Sequence, residues 1–223
     1  MEAGKVARMR VYKFMSCKYG LRALRERRLK ISEVRSLNDP FDLLPFDLSD
    51  PDLRKAVLAS RNEIGRDRGL LCFSQHWHNP VLWAHYAESH KGLCLGFDVP
   101  DDVPQPVTYI ENPLKLTHLD YQTANKMLFT KYEHWRYEEE LRMWATLEEK
   151  SGAPYFYDFG ENLRFVEIIF GAGCLVSKRR VLQAIGAHQT DVRLLKARLA
   201  FDAFRVVEDE NGLDSGFRSD HSD

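Results

Sequence analysis

A chain of 223 residues, 44% hydrophobic and 29% charged, has the size and composition of one well-buried globular domain. Its formal charge of −1 removes the electrostatic argument for a nucleic-acid partner, and no apolar run approaches the ~20 residues of a membrane span. Four scattered cysteines (Cys17, Cys72, Cys94, Cys174) exclude the common zinc spacings and a disulfide framework. They read as reduced thiols, and without an export leader the protein is expected in the cytoplasm.

Along the chain, Met9 to Phe14 is predicted as a strand and Tyr19 to Lys30 as a helix. In that helix Arg22, Arg25, Arg27, Arg28 and Lys30 interleave with Leu21, Leu24 and Leu29, the pattern of a solvated basic face. Leu37 to Leu48 reads as a loop, Leu53 to Ile64 as a helix and Gly69 to Ser74 as a buried strand. Pro80 to Ser89 is predicted helical and ended by Gly92, with a strand from Leu93 to Val99 and another from Val107 to Ile110. A helix from Tyr121 to Tyr132 precedes a strand from Glu138 to Thr146. Phe165 to Phe170 reads as a strand, Lys178 to Ile185 and Val192 to Asp202 as helical or mixed, and Phe204 to Glu208 as a last strand. The expectation is a single α+β domain over residues 1–210, followed by a polar, disordered tail from Asn211.

Three blocks mix aromatic and titratable residues, a combination costly to bury unless each polar atom is partnered. Asn38-Asp39-Pro40-Phe41 is turn chemistry that either closes a loop or presents Asn38 or Asp39 to a pocket. In the second block, Tyr86 and His90 fall four apart on a helix face. Trp83, His85, Tyr86 and His90 either bind a ligand ring or phosphate, or serve as core anchors with satisfied polar tips.

The third block runs from Lys131 through Trp135 and Tyr137 to Arg142. On an extended strand Glu138 and Glu140 share a face, roughly 7 Å apart, with Arg142 next in the row. Such a carboxylate pair suits acid–base work, and Arg142 would keep one member ionised. The alternative is a solvent-facing row of charges. His76 and His78 add a metal reading with His85 and His90, but no compact ligand motif supports it, so no metal is expected. Gly171-Ala172-Gly173 follows a strand yet lacks the third glycine of a dinucleotide loop.

With Tyr12-Lys13-Phe14 and Cys72-Phe73-Ser74, these blocks resemble the hallmarks of a bacterial domain-of-unknown-function family, number twenty-nine seventy-one, over about residues 10–175. That family's turn usually continues with Glu where this chain has Asp42. The resemblance implies a bacterial or phage origin, with a phage-defence or toxin role in view, and no established activity.

A looser likeness is to ADP-ribosyltransferases, which hold NAD in split, twisted, antiparallel-rich sheets flanked by helices. It implies that Lys13 (or Arg10) of the first strand, with Tyr12, meets cofactor, that Ser74 braces the pocket, and that Tyr86 stacks on nicotinamide. Glu140 would stabilise the oxocarbenium-like state, with Glu138 as orienter or base. The Ser-Thr-Ser triplet is missing, and Arg142 would compete for the carboxylate. The expected function is therefore glycosyl or ADP-ribosyl transfer from NAD. The alternatives are a hydrolase or nuclease, metal-assisted or not, and a non-catalytic module binding a nucleotide-like molecule or peptide.

Overall fold

The computed structural model describes residues 7–118, 120–147, 154–186 and 191–215. In chain order these form β1 (Arg8–Met15), α1 (Cys17–Glu26), β2 (Arg28–Lys30), β3 (Ser32–Glu33), a 3-10 turn (Val34–Ser36), α2 (Pro51–Asp67), β4 (Arg68–Ser74), α3 (Pro80–Tyr86) and β5 (Leu93–Pro100). There follow β6 (Gln105–Pro106), β7 (Thr108–Ile110), α4 (Tyr121–Phe129), β8 (Thr130–Tyr132), a second 3-10 segment (Glu133–Glu138) and β9 (Glu140–Thr146). The remainder is β10 (Phe156–Asp158), β11 (Arg164–Phe170), α5 (Lys178–Ile185), β12 (Arg193–Leu199), β13 (Val206–Glu208) and α6 (Gly212–Ser215). The fold is mixed α+β. No described helix is long and apolar enough to cross a membrane.

Several helix starts follow from local chemistry. Ser16, Asp50, Asn79, Asp120 and Ser177 each accept a backbone N–H in the first turn, and Pro51 and Pro80 pre-set φ just inside α2 and α3. Asp120 and Thr123 close a reciprocal capping box.

The chain divides into two compact units, where the sequence suggests one domain. The first takes its described residues from Met1–Leu29, Phe73–Asp101 and Asp158–Asp223. Its sheet runs in the order β13-β12-β11-β5-β1, and the end of β4 pairs with β1 at Tyr12↔Ser74. β1 and β5 are antiparallel over their whole length, from Arg8↔Pro100 to Met15↔Leu93. β5 and β11 are antiparallel with an irregularity between Phe165 and Glu167, and β11 runs parallel to β12. Val11, Leu95, Phe97, Ile168 and Ile169 fill the core, as the largely apolar sequences of β5 and β11 require.

The second unit comprises Lys30–Cys72 and Asp102–Tyr157, again in its described parts. Here β3 pairs antiparallel with β4, β9 neighbours β4, and β6 pairs antiparallel with β9 at Gln105↔Arg142. β7 and β8 form a parallel pair that sets Tyr109 opposite Lys131. Two apolar clusters hold the unit: Phe46, Val57, Leu116 and Met127, and Val34, Leu43 and Leu70 with Trp144 packed against them.

Some sequence boundaries move. The helix expected over Tyr19–Lys30 stops at Glu26 because Arg27 is left-handed (φ 51°), its N–H bonded to the Ala23 carbonyl. The helix expected to reach Tyr132 ends at Phe129, where Thr130 is extended and pairs with Thr108. Val192 to Asp202 contains a strand, recruited by parallel pairing with β11. Of the tail expected from Asn211, Gly212–Ser215 is helical, and residues 216–223 lie outside the described residues.

Candidate functional site

The second unit buries five charged side chains in one network: Asp42, Lys131, Glu138, Glu140 and Arg142, each no more than 5% exposed. Lys131 Nζ donates to Glu138 Oε2 at 2.6 Å and to Glu140 Oε2 at 3.2 Å. Arg142 grips Glu140 with a fork, Nε to Oε1 at 2.9 Å and Nη2 to Oε2 at 3.2 Å. Nη2 also donates to Asp42 Oδ2 at 3.0 Å, and Nη1 donates to the Leu128 carbonyl at 2.8 Å. Asp42 Oδ1 also lies 2.8 Å from Arg142 Nη2, but no N–H is aimed at it. The Tyr109 hydroxyl accepts the Glu140 N–H at 2.8 Å.

Three negative charges against two positive ones set the titration behaviour. Burial pushes Glu140 up, but Arg142 and Lys131 outweigh it and hold the carboxyl near about 2. Asp42 goes the other way: its burial, aided by Glu140, exceeds the pull of Arg142 and raises it. Burial opposes the charge on Lys131 and on Arg142, yet the facing carboxylates raise both, so both stay cationic. Burial also raises the Tyr109 hydroxyl, keeping it neutral.

The two glutamates do not share a strand, as the alternation of residues 138–146 suggests. Glu138 ends the second 3-10 segment, Glu139 is left-handed (φ 43°), and the strand begins at Glu140. That segment also places Trp135 and Tyr137, their ring centres 6.1 Å apart, and Lys131 Nζ sits 4.7 Å from the Trp135 ring centre. The alternative of a solvent-facing row of charges is excluded by the burial of Glu138, Glu140 and Arg142.

Lys131 also belongs to the wall of a cavity of about 370 Å³, with Phe41, Leu44, Pro45, Ile110, Asn112 and Tyr132 among its other residues. The turn before it is structural: buried Asp39 accepts the Phe41 N–H at 2.9 Å and its carbonyl accepts from Asp42 N–H at 3.1 Å. Asn38 lies in the same loop. This turn delivers Phe41 to the cavity and Asp42 to Arg142.

The other sequence-predicted site residues belong to the first unit. Trp83 is fully buried, its indole N–H donating to the Trp77 carbonyl at 2.6 Å and its ring edge-on to Phe14. That is the core-anchor reading of the block. α3 stops at Tyr86, and Glu88, Ser89 and His90 are all left-handed, so Tyr86 and His90 do not share a helix face. His90 instead stacks on Trp83, ring centres 6.4 Å apart. His85 is exposed, with Tyr86 edge-on to it. Gly92 lies beyond the helix, where a Cβ would fall 2.3 Å from the Met15 carbonyl oxygen.

Lys13 and Tyr12 stand on β1, Tyr12 opposite Gly96 in β5 and Ser74 in β4. Burial and nearby Glu167 push Tyr12 up to about 12. Arg10, the alternative phosphate contact, is paired with Asp98. Among the described residues no group of three or more His, Cys, Asp or Glu is placed to hold a metal ion.

Sequence reading missed Tyr109 and Cys72, both of which touch Glu140, and saw Asp42 only as a shortened carboxylate. No local signal marks Tyr109; its role comes from the parallel pairing of two three-residue strands. No family model matches the chain, and neither the curated proteins nor the solved structures contain a match to it.

Proposed function

We propose that the second unit is a binding module whose cavity takes the flat, largely apolar ring of a small nucleotide-like molecule. One observation carries this reading: Lys131 is both a wall residue of the cavity and the hub of the buried charge network. The network holds the floor rigid, since each cation is fastened at two or more points. Phe41, Pro45, Ile110 and Tyr132 offer apolar surface, and Thr130, Asn112 and Glu111 add a few polar groups for orientation.

A second reading is glycosyl or ADP-ribosyl transfer from NAD on an ADP-ribosyltransferase-like fold, favoured by the meeting of Glu138 and Glu140 at one ammonium. In this reading Glu140 stabilises the developing ribosyl cation, and its bonds to Arg142 and Lys131 loosen as the charge develops. That loosening opposes catalysis, because a carboxylate held near about 2 is already satisfied. Binding without chemistry therefore ranks first.

One experiment separates them. The folded protein and Glu140→Gln are titrated with NAD by calorimetry while free nicotinamide is followed by chromatography. Saturable binding without nicotinamide release supports the module. Release that is lost in Glu140→Gln supports the transferase. Neither heat nor release, together with no binding of adenosine, would remove both readings.

A further inference from the structure

The Gly171-Ala172-Gly173 turn of the first unit leads directly into Cys174. Gly171 N–H donates to the Gly92 carbonyl at 3.0 Å and Gly173 N–H to the His90 carbonyl at 2.9 Å. A Cβ at Gly171 would meet the His90 oxygen at 2.2 Å, so the turn needs glycine for close approach. Lys196 of β12 holds the turn from its other side, donating to the Gly171 carbonyl at 2.8 Å and the Cys174 carbonyl at 3.1 Å.

Cys17, the first residue of α1, is tied to the same stretch. Its thiol donates to the Lys91 carbonyl at 3.0 Å and its N–H reaches Glu88 Oε2 at 3.3 Å. The two sulfurs, 157 residues apart in sequence, therefore stand 3.4 Å from each other as free thiols on a shared backbone support. Cys17 is part-exposed, which gives a small oxidant a way in.

We propose that Cys17 and Cys174 are a reversible redox pair that a peroxide closes into a disulfide. The two thiols have unequal roles. Cys17 keeps its proton on the Lys91 carbonyl, and its thiol is pushed up by the contact with Cys174 and by burial. The contact with Cys17, with the Val176 amide and the Lys196 ammonium, draws Cys174 below the ordinary thiol range, so Cys174 supplies the thiolate.

The Cys174 thiolate attacks one peroxide oxygen, the O–O bond breaks, and hydroxide leaves to take up the proton that Cys174 released. The resulting sulfenic acid is attacked by the Cys17 sulfur; the S–O bond breaks and water departs with the Cys17 proton. Two thiols and one hydrogen peroxide give one disulfide and two waters, and a dithiol reductant restores the pair. Closure replaces the Cys17–Lys91 hydrogen bond with a covalent link between the start of α1 and the loop after β11.

The test treats the full chain with hydrogen peroxide, blocks remaining thiols with an alkylating agent, and maps peptides without reduction. The expected result is a peptide joining Cys17 to Cys174, two hydrogens lighter than the free pair and reversed by dithiothreitol, while Cys94, 0% exposed where Cys174 keeps 8%, stays a thiol. In Cys17→Ser, Cys174 should instead advance to the sulfinic acid, since no neighbouring thiol resolves it. Recovery of both cysteines as alkylated monomeric peptides, or of over-oxidised Cys174 without the cross-link in the unsubstituted protein, would overturn the proposal.

Discussion

Glu138 and Glu140 present their carboxylates to a single ammonium, that of Lys131, across one left-handed residue, Glu139. The backbone reversal at Glu139 lets a 3-10 segment and a strand, with different side-chain directions, serve the same cation. Lys131 is thus the cation that the two glutamates share.

Lys131→Met should destabilise the protein by about 3–5 kcal/mol, because two buried carboxylates lose their common partner. With the ammonium gone, burial of both carboxyls is less opposed and they move up relative to the unsubstituted protein, Glu140 less so because Arg142 still holds it. The deficit should then narrow as pH falls, since protonation relieves it, and widen as pH rises. Urea midpoints at several pH values measure this, and a pH-independent loss under 1 kcal/mol would contradict the role given to Lys131.

The depressed Glu140 carboxyl makes a parallel prediction for the unsubstituted chain. Its stabilising contribution is present above the ordinary carboxylate pKa of about 4.3 and fades as pH falls toward about 2. The stability gap to Glu140→Gln should therefore be largest at neutral pH and shrink on acidification. Asp42, raised by burial, acts in the reverse sense, contributing at low pH and losing that contribution as pH rises. Chemical denaturation of the unsubstituted chain, Glu140→Gln and Asp42→Asn between acidic and neutral pH reads the two slopes.

Gly92→Ala should cost about 1–3 kcal/mol or more, because the new Cβ would stand 2.3 Å from the Met15 oxygen and 2.8 Å from Ala87 backbone, neither of which can swing away. Gly160→Ala is the control. Nothing lies within 4 Å of its Cβ, so its thermal midpoint should stay near the original.

Phe41 is 69% exposed at the cavity rim, so Phe41→Ala should leave the folding midpoint within about 0.5 kcal/mol. If the cavity takes a ring, the same change should weaken adenosine or NAD binding roughly ten-fold, a loss of about 1.4 kcal/mol. Equal affinities in both proteins would remove Phe41 from the site.

Much of the architecture is written in local sequence. Pro51, Pro80 and the capping Asp50 and Asn79 mark the starts of α2 and α3, and the largely apolar stretches of β5 and β11 suit buried strands. The aromatic-polar composition of the three blocks likewise marked Lys131, Glu138, Glu140 and Arg142 as residues in need of partners. Which partners they took was a tertiary matter. Whether Arg142 would face water or Asp42, 100 residues away, depends on packing that no window of sequence contains. The same holds for Cys17 and Cys174, ordinary scattered thiols in the chain, which meet because the carbonyls of residues 90–92 accept from the Cys17 thiol and from the Gly171 and Gly173 amides that lead into Cys174. Local propensity chooses the elements, whereas buried charge must be matched in three dimensions, where desolvation penalises every group left alone.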